Sequence, residues 1–160
     1  MNKAAVAPAL ALAGLFLAGP APAGEANLPL ERITVVVSGR VEVSAEVART
    51  DRQRELGLSN RAFLGEGEGM LLLFGGAGPA SIWMKEMRFS LDIFWINGGR
   101  IVMIRDRVRP MGPDRPLEVF TAEAEAVLEV PAGFAAAKGI VVGDTVRFRE
   151  AGRAGPSGNR

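Results

Sequence analysis

The most unusual residue in this sequence of 160 residues is an acid inside an apolar run. Asp92 stands in Leu-Asp-Ile-Phe-Trp-Ile at residues 91–96, where every other residue is apolar. A carboxylate in a strand that is apolar on both faces costs free energy unless it is paired or hydrogen-bonded. Lys85, in the preceding segment, and Arg61 are the candidate partners. We therefore expect a buried or half-buried ion pair that fixes strand register; the alternative is a Lys–carboxylate pair that lines a pocket.

Trp83 and Lys85 form a second notable pair. In an extended strand the period of two residues places both side chains on one face. An aromatic ring beside a cation is typical of a surface that binds a sugar or an anion. The structural alternative is a tryptophan packed under the aliphatic stem of the lysine. The candidate binding residues are therefore Trp83, Lys85, Asp92 and Arg61.

The residue types that are missing exclude several kinds of catalysis. The chain contains no His, Cys or Tyr. It therefore lacks thiol and disulfide chemistry, histidine acid–base catalysis, and zinc or haem sites built on His or Cys. One catalytic possibility is that Lys85 acts as a base or nucleophile beside Ser81 or Asp92. Ser81 and Lys85 would lie ~13 Å apart along one strand, which argues against a direct dyad.

Methionine offers the only soft metal ligands in this chain. Thioethers select Cu(I), and five methionines follow the first 23 residues. However, Met84 and Met87 would point to opposite faces of a strand, and methionine commonly fills gaps in cores. We therefore expect no metal and no cofactor.

The first 23 residues have the layout of a secretory signal peptide. Lys3 supplies a positive charge, residues 4–18 are uncharged and mostly apolar, and residues 21–23 form a small-x-small cleavage signal. The apolar stretch would give ~22 Å of helix, short of the ~30 Å hydrocarbon core. We expect cleavage after Ala23, export to the periplasm or beyond, and no stable membrane anchor afterwards.

The rest of the chain is expected to form a single domain over residues 30–150. Residues 24–29 read as a flexible leader, and residues 151–160 lack large apolar side chains and read as a disordered tail. The 19 Lys and Arg residues nearly balance 18 Asp and Glu residues, for a formal charge of +1. Composition therefore provides no basic face for nucleic acid.

Short β-branched and alternating segments separated by Gly and Pro predict a β protein. The predicted strands cover residues 33–37, 41–47, 70–74, 81–87, 91–96, 100–108, 117–121, 124–130 and 145–149. Thr50 and Gln53 predict a capping box for a short helix that stops at Gly57. Residues 75–79 read as a tight loop, residues 97–99 as a hairpin turn, and residues 131–138 as a short turn or helix capped by Gly139. The predicted fold is mainly β: a single compact sandwich or small barrel of about eight short strands with one or two short helices.

Four segments together resemble a known family. They are Gly57-Leu58 with Arg61, residues 69–74, residues 82–85 (Ile-Trp-Met-Lys) running to 91–93, and residues 131–133 with 139–144. This ordered set is similar to the bacterial and archaeal family known as domain of unknown function 192. The resemblance implies a compact, mostly β single domain and no particular activity. Members commonly carry Asn where Glu86 stands here, and many have a cysteine pair in the loop at residues 109–116, which here has none.

Two functions from different classes follow from these observations. The first is a non-enzymatic exported accessory or binding domain that holds a small ligand or an envelope protein near Trp83, Lys85 and Asp92. The alternative is a hydrolase or lyase that uses Lys85 with Asp92. Both place the functional residues in the segment around Trp83.

Overall fold

The computed structural model describes residues 29–112 and 116–150. The predicted signal peptide, most of the predicted leader and the predicted tail lie outside these residues. None of the helices within the described ranges is long and apolar enough to cross a membrane.

The described residues form seven strands and two short helices. In chain order these are β1 (Arg32–Val37), β2 (Val41–Ala48), α1 (Asp51–Leu56), β3 (Glu68–Trp83), β4 (Leu91–Asn97), β5 (Arg100–Val108), β6 (Val119–Pro131), α2 (Phe134–Lys138) and β7 (Val146–Glu150). All seven strands belong to one sheet in the order β5-β4-β6-β3-β2-β1-β7. The β2–β3 pair is parallel and the other neighbouring strands are antiparallel.

The predicted fold class is confirmed, because the domain is mainly β with two short helices. A single antiparallel bridge between Arg100 and Thr145 joins the two ends of the sheet. One bridge does not make a continuous ladder, so the sheet is not closed into a barrel and is consistent with a sandwich.

Two pairs of predicted strands are continuous in the structure. The tight loop predicted at residues 75–79 is wrong: these residues belong to β3, and the register with β6 shifts between Leu73 and Gly78. Gly75, with φ +77°, lets the strand bulge and continue instead of turning back. The predicted strand 81–87 ends at Trp83, and the predicted strands around residues 117–130 form the single strand β6.

The predicted capping box, hairpin turn and Gly139 cap are confirmed. The left-handed stop predicted at Gly57 is wrong: α1 ends before it as predicted, but its ψ of −127° lies outside the left-handed helical region. Thr50 accepts a hydrogen bond from the Gln53 N–H, and the Gln53 side chain accepts one from the Thr50 N–H. The β4–β5 hairpin turns at Gly98 and Gly99, which both have positive φ as a tight hairpin requires. The Gly139 cap of α2 is left-handed.

The sheet carries a hydrophobic cluster on each face. The first cluster includes Val35, Phe94, Leu128 and the buried side of α2. The second cluster includes Met70, Ile93, Trp95 and Leu58, which follows α1. Because β4 and β6 lie inside the sheet, residues on both of their faces are buried.

Among the described glycines, Gly69 in β3 has the closest approach of a neighbouring strand's backbone. A Cβ at Gly69 would lie 2.8 Å from Val43 Cγ1 and 2.9 Å from the carbonyl oxygen of Glu129. We expect Gly69→Ala to lower the free energy of unfolding by about 1–3 kcal/mol in chemical denaturation, since the backbone of β6 would have to move. Gly78→Ala, in the same strand with open space at its Cβ, is the control and should change stability by less than about 0.5 kcal/mol. Equal losses in the two variants would contradict this explanation.

Candidate functional site

Asp92 is fully buried and is held by backbone amides. Its Oδ1 accepts hydrogen bonds from the N–H groups of Arg107 (2.8 Å) and Gly133 (2.9 Å). Its Oδ2 accepts one from the N–H of Ala135 at 2.8 Å. These three donors come from β5, from the turn before α2 and from α2, so one carboxylate joins three elements.

The ion pair expected for Asp92 is therefore wrong. Among the residues that the structure describes, no salt bridge involves Asp92 or Lys85. Three N–H groups satisfy a buried carboxylate without any side-chain cation. Asp92 faces the first cluster and lines none of the cavities described below, so it is apart from the other candidate residues.

Arg61 pairs with a different acid. Its guanidinium donates two hydrogen bonds to the Glu46 carboxylate, at 3.1 Å and 2.6 Å, and Arg32 binds the same carboxylate at 2.9 Å. The hydrogen bond from Arg61 is the main reason that the pKa of Glu46 is lowered. Arg61 and Glu46 line a cavity of about 300 Å³ beside α1.

Trp83 lies at the mouth of a second cavity, which we call the Trp83 cleft. The cleft has a volume of about 310 Å³, and α1, the turn after it, β3 and β6 enclose it. The residues that line it include Leu56, Ser59, Phe74, Ser81, Trp83 and Glu129. The side chain of Trp83 is 40% exposed, which leaves an aromatic surface open to a ligand.

Lys85 lies next to this cleft, in the turn that follows β3. It lines an adjoining cavity of about 230 Å³ that shares Trp83, Leu56 and Ser59 with the Trp83 cleft. The structure thus brings Trp83 and Lys85 together at one opening, although Lys85 is not in the strand that the sequence predicted. Arg61 lies beside the other cavity, and Asp92 lies on the opposite face of the sheet.

Hydrogen bonds between two turns hold the wall of the cleft. The Ser59 hydroxyl donates to the carbonyl oxygen of Lys85 at 3.2 Å, and the Asn60 N–H donates to the carbonyl oxygen of Glu86 at 2.9 Å. Glu86 has φ +59°, in the left-handed region that Asn adopts more readily than Glu. This conformation gives a physical reason for the Asn that the family resemblance implies at this position.

Glu129 is a buried acid of the cleft that the sequence analysis missed. It is 6% exposed, and its position opposite Ile93 and Met70 points it toward the second cluster. No described residue donates a hydrogen bond to its carboxylate, and burial raises its pKa to about 7 against the opposing effect of the Arg61 charge.

The alternation of apolar residues in this segment predicts, wrongly, that Glu129 is exposed, although one neighbouring residue indicates burial. Ala124, Ala126, Leu128 and Val130 form the apolar face of a predicted strand, which assigns Glu129 to the polar face. Val127, two residues earlier on that same face, is the contrary signal, because it is apolar and fully buried. Glu129 is buried because the sheet order places β6 between β3 and β4.

The methionines contribute to packing. Met70 and Met84 are buried in the second cluster, and Met87, Met103 and Met111 pack against it, as expected for residues that fill gaps in a core. Among the described residues, no group of three or more Asp and Glu side chains is placed to hold a metal ion.

The fold and the site define a small β domain built on one mixed seven-stranded sheet, with an open cleft beside its first helix. A family model matches residues 33–148, and the chain belongs to the domain of unknown function 192 family, described as "Uncharacterized ACR". The resemblance seen in the sequence is thereby confirmed. No curated protein shows a significant match.

Two crystal structures are similar to this chain over most of their length. One is a protein from Sinorhizobium meliloti 1021 described as "a putative transcription regulator", with 29% identity, a TM-score of 0.69, and coverage of 76% of this chain and 96% of that chain. The other is a protein of unknown function from Novosphingobium aromaticivorans DSM 12444, with 33% identity, a TM-score of 0.65, and coverage of 82% and 94% respectively.

The Asp92 hydrogen bonds predict a large effect for an isosteric change. In Asp92→Asn, an NH₂ group would have to face one or more of the three backbone N–H donors. We expect the free energy of unfolding, measured in urea, to fall by about 2–4 kcal/mol. Asp106→Asn, at an exposed position of β5, is the matched control and should change little. An Asp92→Asn variant as stable as the control would contradict the assignment.

The raised pKa of Glu129 predicts a pH-dependent stability. The folded state binds this proton more tightly than the unfolded chain, so the penalty for ionising Glu129 develops between its ordinary pKa of 4.5 and about 7. Above that range the penalty reaches at most about 3 kcal/mol. We expect Glu129→Gln to gain stability relative to wild type as pH rises through this range, in unfolding curves recorded at several pH values. Glu123→Gln, an exposed change on the same strand, is the control. If the difference in the free energy of unfolding between Glu129→Gln and wild type stays constant with pH, the explanation is ruled out.

Proposed function

We propose that this protein is an exported, non-enzymatic binding domain that holds a small ligand in the Trp83 cleft. The observation that carries the proposal is a cleft of about 310 Å³ with a 40% exposed tryptophan at its mouth. Small-molecule sites are typically concave and mostly apolar, with a few polar groups that orient the ligand. Export is supported by the signal-like pattern of residues 1–23.

The composition of the cleft fits recognition of a small molecule. Apolar side chains of Leu56, Leu72 and Phe74 line it together with the hydroxyl-bearing residues Ser59 and Ser81. The Ser81 hydroxyl lies 2.8 Å from that of Thr121, and Ser59 is bonded to the turn of Lys85. These bonds fix the walls before a ligand arrives, which lowers the entropic cost of binding.

The alternative of a hydrolase or lyase using Lys85 and Asp92 has less support. Asp92 is fully buried and uses both carboxylate oxygens on backbone amides. A catalytic acid must reach the reacting group or a bridging water, and no cavity described here exposes Asp92. Lys85 would therefore act without this carboxylate.

Intrinsic fluorescence tests the proposal directly. The chain has two tryptophans and no tyrosine, and Trp95 is fully buried, so a ligand in the cleft should change the emission of Trp83. We expect at least one class among simple sugars, small carboxylic acids and small amines to change this emission and to raise the melting temperature of the protein.

A variant pair locates the binding site. Trp83→Ala should lower the affinity for that ligand by about tenfold or more, since an aromatic anchor in a pocket carries much of the binding energy. Val102→Ala removes a side chain of the same exposure outside the cleft, and should bind as wild type does. A ligand that binds Trp83→Ala as tightly as wild type would place its site elsewhere and refute the proposal.

A further inference from the structure

We propose that the ligand of the Trp83 cleft carries a protonated amine, which binds the Glu129 carboxylate while its apolar body lies against Trp83 and Phe74. This inference rests on the proposed function and names the chemical class of the ligand. It follows from one acid that has no protein donor, from the balance of charge in the cleft and from the apolar walls.

Glu129 is the acid of the cleft that has no protein donor. Among the described residues no fully buried side-chain oxygen or nitrogen atom lacks a partner, so the carboxylate oxygens of Glu129 are open to the solvent of the cleft. It is 94% buried, lines the cleft, and receives no hydrogen bond from the residues that the structure describes. Buried carboxylates are normally satisfied, as Asp92 is in this same sheet by three N–H donors. A ligand that brings N–H donors into the cleft would satisfy Glu129, and a charged donor makes the stronger hydrogen bond.

The charges around the cleft favour a cation. Three acids, Asp51, Glu55 and Glu129, line it with one base, Arg54. Arg54 already has three acceptors: it donates to the carbonyl oxygens of Arg49 and Leu73 at 2.5 Å each and pairs with Asp51. Its guanidinium also lies 5.2 Å from the centre of the Phe74 ring. The one base of the cleft is therefore already paired with Asp51, whereas Glu55 and Glu129 form no ion pair with the described residues.

The cations next to the cleft do not reverse this balance. Lys85 and Arg52 line the adjoining cavity together with Glu55 and Glu86, and none of the four forms a salt bridge with a described residue. Arg61 acts on Glu129 from a distance, but its guanidinium is bonded to Glu46. The adjoining cavity therefore has two bases and two acids, whereas the Trp83 cleft has three acids and one base.

The walls of the cleft indicate an organic amine. Leu56, Leu72, Ile82 and Met87 line the cleft together with the two aromatic rings. An apolar body can bury against these side chains while the ammonium group binds the Glu129 carboxylate. A bare metal ion would leave these surfaces unused, and none of the acid clusters in the described chain is suited to hold one.

A matched pair of probes separates charge from shape. We would titrate the full chain with benzylamine and with benzyl alcohol at about pH 8, where most of Glu129 is ionised because its pKa is about 7. Trp83 fluorescence and backbone amide NMR shifts around the cleft report binding. We expect benzylamine to bind about tenfold more tightly than benzyl alcohol, since the alcohol offers one neutral donor and the amine offers charged ones.

Two variants assign the preference to Glu129. Glu129→Gln keeps the shape of the side chain and removes its charge. The affinities for the two probes should then lie within about twofold of each other. Glu123→Gln, an exposed change on the same strand, should keep the tenfold preference. In the wild type, lowering the pH through 7 should weaken the binding of benzylamine and leave the binding of benzyl alcohol unchanged. This measurement tests the amine assignment even if Glu129→Gln folds poorly.

The possible failures are distinguishable. If benzyl alcohol binds in the cleft as tightly as benzylamine, or if the preference survives in Glu129→Gln, the amine assignment is overturned and the proposed binding function stands. If benzylamine shifts amide resonances only outside the cleft, the assignment is likewise overturned. If neither these probes nor the sugars and acids change Trp83 emission, both the amine assignment and the proposed function are overturned.

Discussion

The described fold depends on keeping the Asp92 carboxylate hydrogen-bonded in the middle of its sheet. The donors are backbone amides, and one of them needs a strained conformation: Arg107 has φ +46°, at the point where the β4–β5 register shifts between Leu91 and Ile93. The bulge turns the Arg107 N–H toward the carboxylate. Gly133, with φ +86°, turns the chain into α2 so that two further amides reach the same group. One side chain thus fixes the β5 bulge and the position of α2, which covers the first cluster.

Glu129 shows the opposite arrangement on the other face of the sheet. It is buried almost as fully as Asp92, but no described residue donates to it, and it borders an open cleft. Two acids in neighbouring central strands therefore differ in what satisfies them. Asp92 is bonded by three backbone amides and joins three elements of the fold, whereas the Glu129 carboxylate has no protein donor and is open to the cleft.

Local chemistry in the sequence predicted the parts of the fold that depend on neighbours in the chain. The Thr50–Gln53 capping box, the turn at Gly98 and the left-handed cap at Gly139 each follow from a few adjacent residues. The glycine run at residues 75–78 is compatible with a turn or a bulge, and pairing with β6 decides between them. The sequence likewise identified Asp92 as buried and in need of partners. Its partners were missed because backbone amides at residues 107, 133 and 135 carry no side-chain signature.

The same limit applies to the site. The aromatic residue at the cleft, Trp83, was predicted from its position beside Lys85, whereas Glu129 becomes notable only once β6 is known to lie between two other strands. The most direct test of the central claim is an NMR titration of the Glu129 carboxyl carbon in the full chain. We expect the resonance to titrate near pH 7, because the group is buried beside the cleft without a donor. A midpoint at its ordinary value of 4.5 would mean that the carboxylate is well solvated or already partnered, and the assignment of the ligand site would fail.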